Sequence, residues 1–122
     1  MEVKVRMEKL RKVQELLRER RILMAEMMTA EMGKPLAQSE GEIDKCISHI
    51  DYSIEKSLEF MRDEIIPTRQ LKSFITCEPV GPFLDIVPWN YPYWMPFKSM
   101  IPPLVLGNPI LLKGSPSTVS CS

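Results

Sequence analysis

Along the first 32 residues apolar side chains recur every three or four positions, at Met7, Leu10, Val13, Leu17, Met24, Met27 and Met28, and charge fills the rest of each turn. That spacing is the period of an amphipathic helix and predicts helix over 1–32. The basic run from Arg18 to Arg21 is a place where it can divide into two shorter helices. Gly33 followed by Lys34 and Pro35 supplies a left-handed cap and a residue that cannot continue the helix. A further helix is predicted over about 40–64 from the stripe Ile43, Ile47, Ile50, Ile54, Leu58 and Met61, and Ser39 with Glu42 three residues on fits a capping box at its start.

From Pro67 the period changes. Residues 72–76 read as a strand with no evident partner, and 83–87 as a short buried strand bounded by prolines. Residues 92–106 read as a proline-initiated helix closing at Gly107 and Asn108, and 109–113 as another apolar strand with a lysine at its exit. Strand, helix, strand with a short crossover is a βαβ unit, expected to be right-handed, and the fold class is α/β. Residues 1–66 hold 26 of the 32 charged side chains, whereas 79–116 hold nine of the eleven prolines. The shift marks a passage from exposed amphipathic helices to a buried region punctuated by turns. Residues 1–34 carry nine bases against six acids and 40–64 eight acids against three bases, which reads as two solvated faces packed side by side.

At 122 residues the chain is one domain at most or a piece of a larger one, and its 44% hydrophobic content excludes a wholly disordered chain. Sixteen basic and sixteen acidic residues cancel, which leaves no footprint for nucleic acid or an anionic membrane. Cys46, Cys77 and Cys121 form no CxxC pair, and with His49 as the single histidine no zinc-ligand spacing arises. So sparse a cysteine count suits a reducing compartment. The longest apolar stretch, 100–112, contains three prolines and is too short to span a bilayer, and charge from Glu2 onward leaves no secretory signal. A soluble intracellular protein is expected.

No GxGxxG, P-loop, HExxH or GxSxG occurs. The residues that invite chemistry are Asn90, between Trp89 and Tyr91 at the exit of the 83–87 strand, and Lys113, at the exit of the next. In open α/β sheets ligands sit beyond the carboxyl ends of the strands. A primary amide and an ammonium there are suitable donors for an oxyanion and for sugar hydroxyls. Read without any ligand, Asn90 is a turn residue and Lys113 a solvated strand end.

The run EPVGPFLDIVPWNYP from Glu78, followed by PLVLGNPILLK from Pro103 to Lys113, resembles the N-terminal coenzyme-domain region of the aldehyde dehydrogenase superfamily. The order of PWN, an aromatic and Pro, then GN and a strand ending in Lys is matched, as is the spacing from Asn90 to Lys113. Upstream, EMGKPL from Glu31 and GEIDKC from Gly41 resemble the family's helix-end and second-helix signatures. The resemblance implies two N-terminal helices over 1–66, part of an oligomerisation strand or hairpin over 67–82, and over 83–122 the first βαβ of an incomplete Rossmann-like NAD(P)-binding domain.

The family converts an aldehyde and NAD or NADP to a carboxylic acid through a cysteine thioester. By position, Asn90 is then the oxyanion donor, Lys113 the partner of the adenine-side ribose, and Trp89 with Gly114, Ser115 and Pro116 the lining of the coenzyme site. The acidic residue usual three after the lysine is Pro116 here, and the usual proline after it is Gly114, so the choice between NAD and NADP stays open. Lys98 stands eight residues after Asn90, where succinate-semialdehyde dehydrogenases generally place an arginine for the distal carboxylate; a lysine keeps the charge and loses the planar fork. The run from Tyr91 through Trp94 to Lys98 resembles a short bacterial-type branch of that group and makes Tyr91 and Trp94 substrate-binding candidates. The resemblance puts the nucleophilic cysteine and general-base glutamate beyond Ser122, so this chain alone is expected to be inactive, while Cys46 and Cys77 read as packing residues and Cys121 as too close to Lys113 to be the nucleophile. It also implies a homo-oligomer acting on a small-molecule aldehyde in the cytoplasm, or in the mitochondrial matrix if the true N-terminus lies upstream of Met1. The runner-up is a catalytically inert interaction fragment, suggested by the lone strand at 72–76.

Overall fold

The computed structural model describes residues 2–69 and 72–121, with the side chains of Ser57 and Leu58 outside the description. The first amphipathic stretch divides at the basic run: α1 spans Val3–Glu19 and α2 Arg21–Met32, with Arg20 between them. Gly33 closes α2 at φ 73°, its N–H donating to the Thr29 carbonyl at 3.0 Å, in the left-handed conformation that glycine adopts at least cost. Helix α3, Leu36–Phe60, lies at the centre and packs against α1, α2 and a later helix α4, Trp94–Val105. Its apolar stripe forms the middle of the core, with Ile43, Cys46 and Ile50 fully buried against Met7, Leu10, Leu17 and Met28 from α1 and α2. Gln14, buried on α1, donates from Nε2 to the Ile47 carbonyl at 3.0 Å and fixes the register of the two helices.

The capping-box expectation is corrected. Helix α3 begins at Leu36, where Pro35 accepts from the Gln38 and Ser39 amides. Ser39 is buried inside the helix and its hydroxyl meets that of Thr29 at 3.2 Å, which releases Glu42 for another task. The acidic and basic faces also do more than lie side by side. Arg21 makes a bidentate pair with Asp44, both contacts at 2.7 Å, and reaches Glu40 at 2.7 Å.

Helix α3 ends at Phe60 rather than near 64, and the strand expected to stand alone has a partner. β1, Glu64–Ile65, pairs antiparallel with β2, Phe74–Ile75. Pro67 disfavours helix at the residue before it, and the β-branched Ile65 and Ile66 take the extended form instead. β3, Phe83–Ile86, and β4, Ile110–Lys113, are joined through α4 and pair in parallel, Phe83 opposite Ile110 and Ile86 opposite Lys113. The expected βαβ unit is therefore present. The expected burial of its first strand is not: Leu84, Ile86 and Leu111 are each about two-thirds exposed, because α4 is the one layer packed on this strand pair among the described residues.

Candidate functional site at the carboxyl ends of the parallel strands

The parallel register brings the exits of β3 and β4 to the same edge, where the Val87 N–H donates to the Lys113 carbonyl at 3.1 Å. Trp89 and Asn90 follow β3 after Val87 and Pro88, both side chains exposed. Lys113 is exposed at the end of β4, and its Nζ donates to the Gly114 carbonyl at 3.1 Å. Lys113, Gly114, Ser115 and Pro116 line one open hollow of about 380 Å3 with Val119. Four of the five residues singled out for the coenzyme thus share a concave surface, with an ammonium and a hydroxyl as donors and no acidic side chain. That lining has the size and donor chemistry to take a nucleotide sugar.

The loop after Asn90 is held by residues that the sequence left in structural roles. Lys34, between the helix-stopping Gly33 and Pro35, is buried, and its Nζ donates to Glu42 Oε2. The same ammonium lies 3.5 Å from the Asn90 carbonyl and 3.7 Å from the centre of the Tyr91 ring. Oε1 of Glu42 accepts the backbone N–H groups of Tyr93 at 3.0 Å and Trp94 at 2.9 Å. These are N–H groups at the start of α4, which has no side-chain cap of its own. The capping-box spacing concealed Glu42, and the one available signal was a lysine retained between two helix breakers.

Trp94 sits in the seam between α3 and α4, with the Lys45 ammonium 4.1 Å from its ring centre and the His49 ring edge-on at 5.4 Å. The buried Nε2 of His49 has no hydrogen-bond partner among the described residues. Pro102 lies four residues after Lys98 and brings no N–H, so the Lys98 carbonyl lacks its usual helical donor. The Lys98 side chain is exposed on α4. Burial pushes the Cys46 thiol up to about 12, and burial with the Glu31 carboxylate pushes Cys121 up to about 12, which keeps both protonated at neutral pH. Glu31 in turn accepts the Ser120 and Cys121 amides at 2.8 and 3.2 Å, tying the C-terminal segment to α2.

Three helices followed by a parallel βαβ unit, with amide and ammonium donors at the strand exits, place the molecule in the α/β class with a Rossmann-like unit. The family profile described as aldehyde dehydrogenase family matches residues 1–122. A probable NADP-dependent succinate-semialdehyde dehydrogenase of Synechocystis is 37% identical over 113 residues, 93% of this chain and 25% of that protein. The succinate semialdehyde dehydrogenase of Escherichia coli described as NAD(P)-dependent is 35% identical over 117 residues, 96% of this chain and 25% of its own length. Among solved structures, the succinic semialdehyde dehydrogenase of Streptococcus pyogenes in complex with NADP+ superposes with a TM-score of 0.94 at 30% identity, covering 98% of this chain and 26% of that one. The chain belongs to the aldehyde dehydrogenase family. It spans about a quarter of the length of the curated relatives it matches.

Proposed function

We propose that the chain is the N-terminal quarter of an NAD(P)-dependent aldehyde dehydrogenase that oxidises succinate semialdehyde to the carboxylic acid. The observation that carries this reading is the shared edge of β3 and β4, with Asn90 beyond one strand and Lys113 with its hollow beyond the other. The uncovered apolar strand faces support it, since parallel sheets are ordinarily buried on both sides. In this reading residues 1–60 are the helical layer, the hairpin of β1 and β2 contributes to oligomerisation, and 83–122 open the coenzyme domain.

NAD(P)+, when bound, supplies the hydride acceptor. Lys113 donates to the adenine-side ribose, and Trp89, Gly114, Ser115 and Pro116 line that site. Asn90 directs its neutral amide at the oxygen of the aldehyde carbon, where negative charge develops as the nucleophile adds; a neutral donor stabilises that charge without a resting ion pair. Lys98 attracts the distal carboxylate, with Tyr91 and Trp94 flanking the substrate. The thiol that attacks the aldehyde lies outside this chain, which alone has no turnover.

The test is steady-state kinetics on the full-length enzyme that carries this chain. Asn90→Ala is expected to lower kcat roughly 100- to 1,000-fold, the usual scale for one oxyanion donor. Lys113→Ala should instead weaken coenzyme binding by about 1–2 kcal/mol and leave kcat at saturating coenzyme nearly unchanged. Full kcat in Asn90→Ala overturns the oxyanion assignment, and an unaltered coenzyme Kd in Lys113→Ala overturns the other.

A further inference from the structure

We propose that the buried Lys34–Glu42 pair is a positioning device for the Asn90 amide, holding the backbone on both sides of the Tyr91–Pro92 step. The inference rests on the oxyanion role given to Asn90 above. Its basis is the way one carboxylate divides its two oxygens. Oε1 of Glu42 takes the Tyr93 and Trp94 N–H groups, which fixes where α4 begins. Oε2 takes the Lys34 ammonium, which meets the Asn90 carbonyl and lies under the Tyr91 ring. The negative charge at the start of α4 is also favoured by the helix dipole.

Between these two anchors the chain has little freedom left, because the Pro92 ring fixes its own φ. The orientation of the Asn90 peptide is therefore set from Lys34, and the helix that follows is set from Glu42. Asn90 itself has an exposed side chain on a loop, and no other side-chain bond to it is recorded among the described residues. An oxyanion donor must be aimed within a fraction of an ångström, and a misplacement of about 1 Å costs on the order of 100-fold in rate.

Stability alone is a weak reason for this pair. Lys34 and Glu42 are 8% and 3% exposed, and a buried ion pair is commonly matched or bettered by apolar residues of similar volume. What apolar residues cannot do is satisfy the two α4 N–H groups and grip the Asn90 carbonyl at the same time. The arrangement also explains why a lysine stands between Gly33 and Pro35, where a helix stop requires none.

The test is a double-mutant cycle in the full-length enzyme. Lys34→Met is expected to lower kcat by about tenfold or more while leaving the coenzyme Kd unchanged. In an Asn90→Ala background the same substitution should change kcat less than about twofold, since the group it positions is gone. An equal loss in both backgrounds overturns the proposal and makes Lys34 merely structural. If Lys34→Met does not fold, Glu42→Gln gives the same comparison, for it keeps an acceptor toward α4 and removes the ion pair. If Asn90→Ala leaves kcat intact, the oxyanion reading has failed, and the Asn90 side-chain amide resonances in the NMR spectrum then decide the positioning role. A shift of those resonances in Lys34→Met upholds it, and unshifted resonances overturn it.

Discussion

Lys98 stands exposed on α4, one turn beyond Trp94. Its side chain is therefore carried on a helix and presented to solvent, where it can meet an anion, which is the property a carboxylate receptor needs. A distal carboxylate is remote from the reacting carbon, so its contact is made equally in ground and transition states. Lys98→Ala is expected to raise KM for succinate semialdehyde with little change in kcat. A charge-assisted bond of about 1.5–3 kcal/mol corresponds to roughly a ten- to hundredfold loss in kcat/KM. Butanal, similar in length and uncharged, should lose almost nothing, and Lys98→Arg should retain or improve use of the acid. Equal losses on both aldehydes would assign Lys98 to the structure of α4 and remove it from the substrate site. At this scale the motifs were legible: Asn90 and Lys113 fall at strand exits as expected. Glu42 was not, because its spacing from Ser39 satisfied a local rule that the fold does not use.

Among the elements α3 has the greatest mechanical role, since α1, α2 and α4 all pack on it. Ile50 is fully buried near its middle, whereas Ile22, on α2, is half exposed. Ile50→Ala should lower the unfolding free energy by roughly 2–5 kcal/mol, and Ile22→Ala by about 1 kcal/mol or less, read from urea unfolding of the purified chain. Similar costs at the two sites would mean that α3 is not the centre of the core. The helical period located the stripe of α3 well, because burying one face requires the same spacing whatever it is buried against. The ends of the helix were misplaced, since it starts directly after Pro35 and Glu64 and Ile65 are taken up by the pairing with β2. Helix α4 was placed correctly despite Pro102 and Pro103, whose missing N–H groups fall in its last turns.

For the molecule as a whole, His49, Glu31 and Asp44 link folding to pH in the acid range. Burial lowers the His49 imidazolium below its ordinary 6.5, so the unfolded chain takes up the proton first as pH falls. Its contribution is complete above about pH 6.5 and is lost on acidification below that. Asp44 is lowered from its ordinary 3.8 by Arg21 and Glu31 from its ordinary 4.5 by the Ser120 amide, so their contributions persist until the pH falls below about 4. Tm should therefore hold from pH 8 to 7, decline first below about 6.5 and again below about 4, as followed by calorimetry. His49→Gln should remove the first decline, and its persistence in that variant would assign it to another group.

The sequence by itself determined the helical stripes, the stop at Gly33, the βαβ order and the positions of Asn90 and Lys113. Each of these depends on spacing along the chain or on the conformational limits of glycine and proline, which act locally. Only the tertiary structure decided that Glu42 serves α4, that Lys34 is buried beneath Tyr91, and that β1 pairs with β2. Those outcomes require a polar group on one element to find the unsatisfied backbone of another, some fifty residues away in the case of Glu42 and α4. No periodicity records such a meeting, because what selects it is the cost of leaving a buried N–H or charge without a partner.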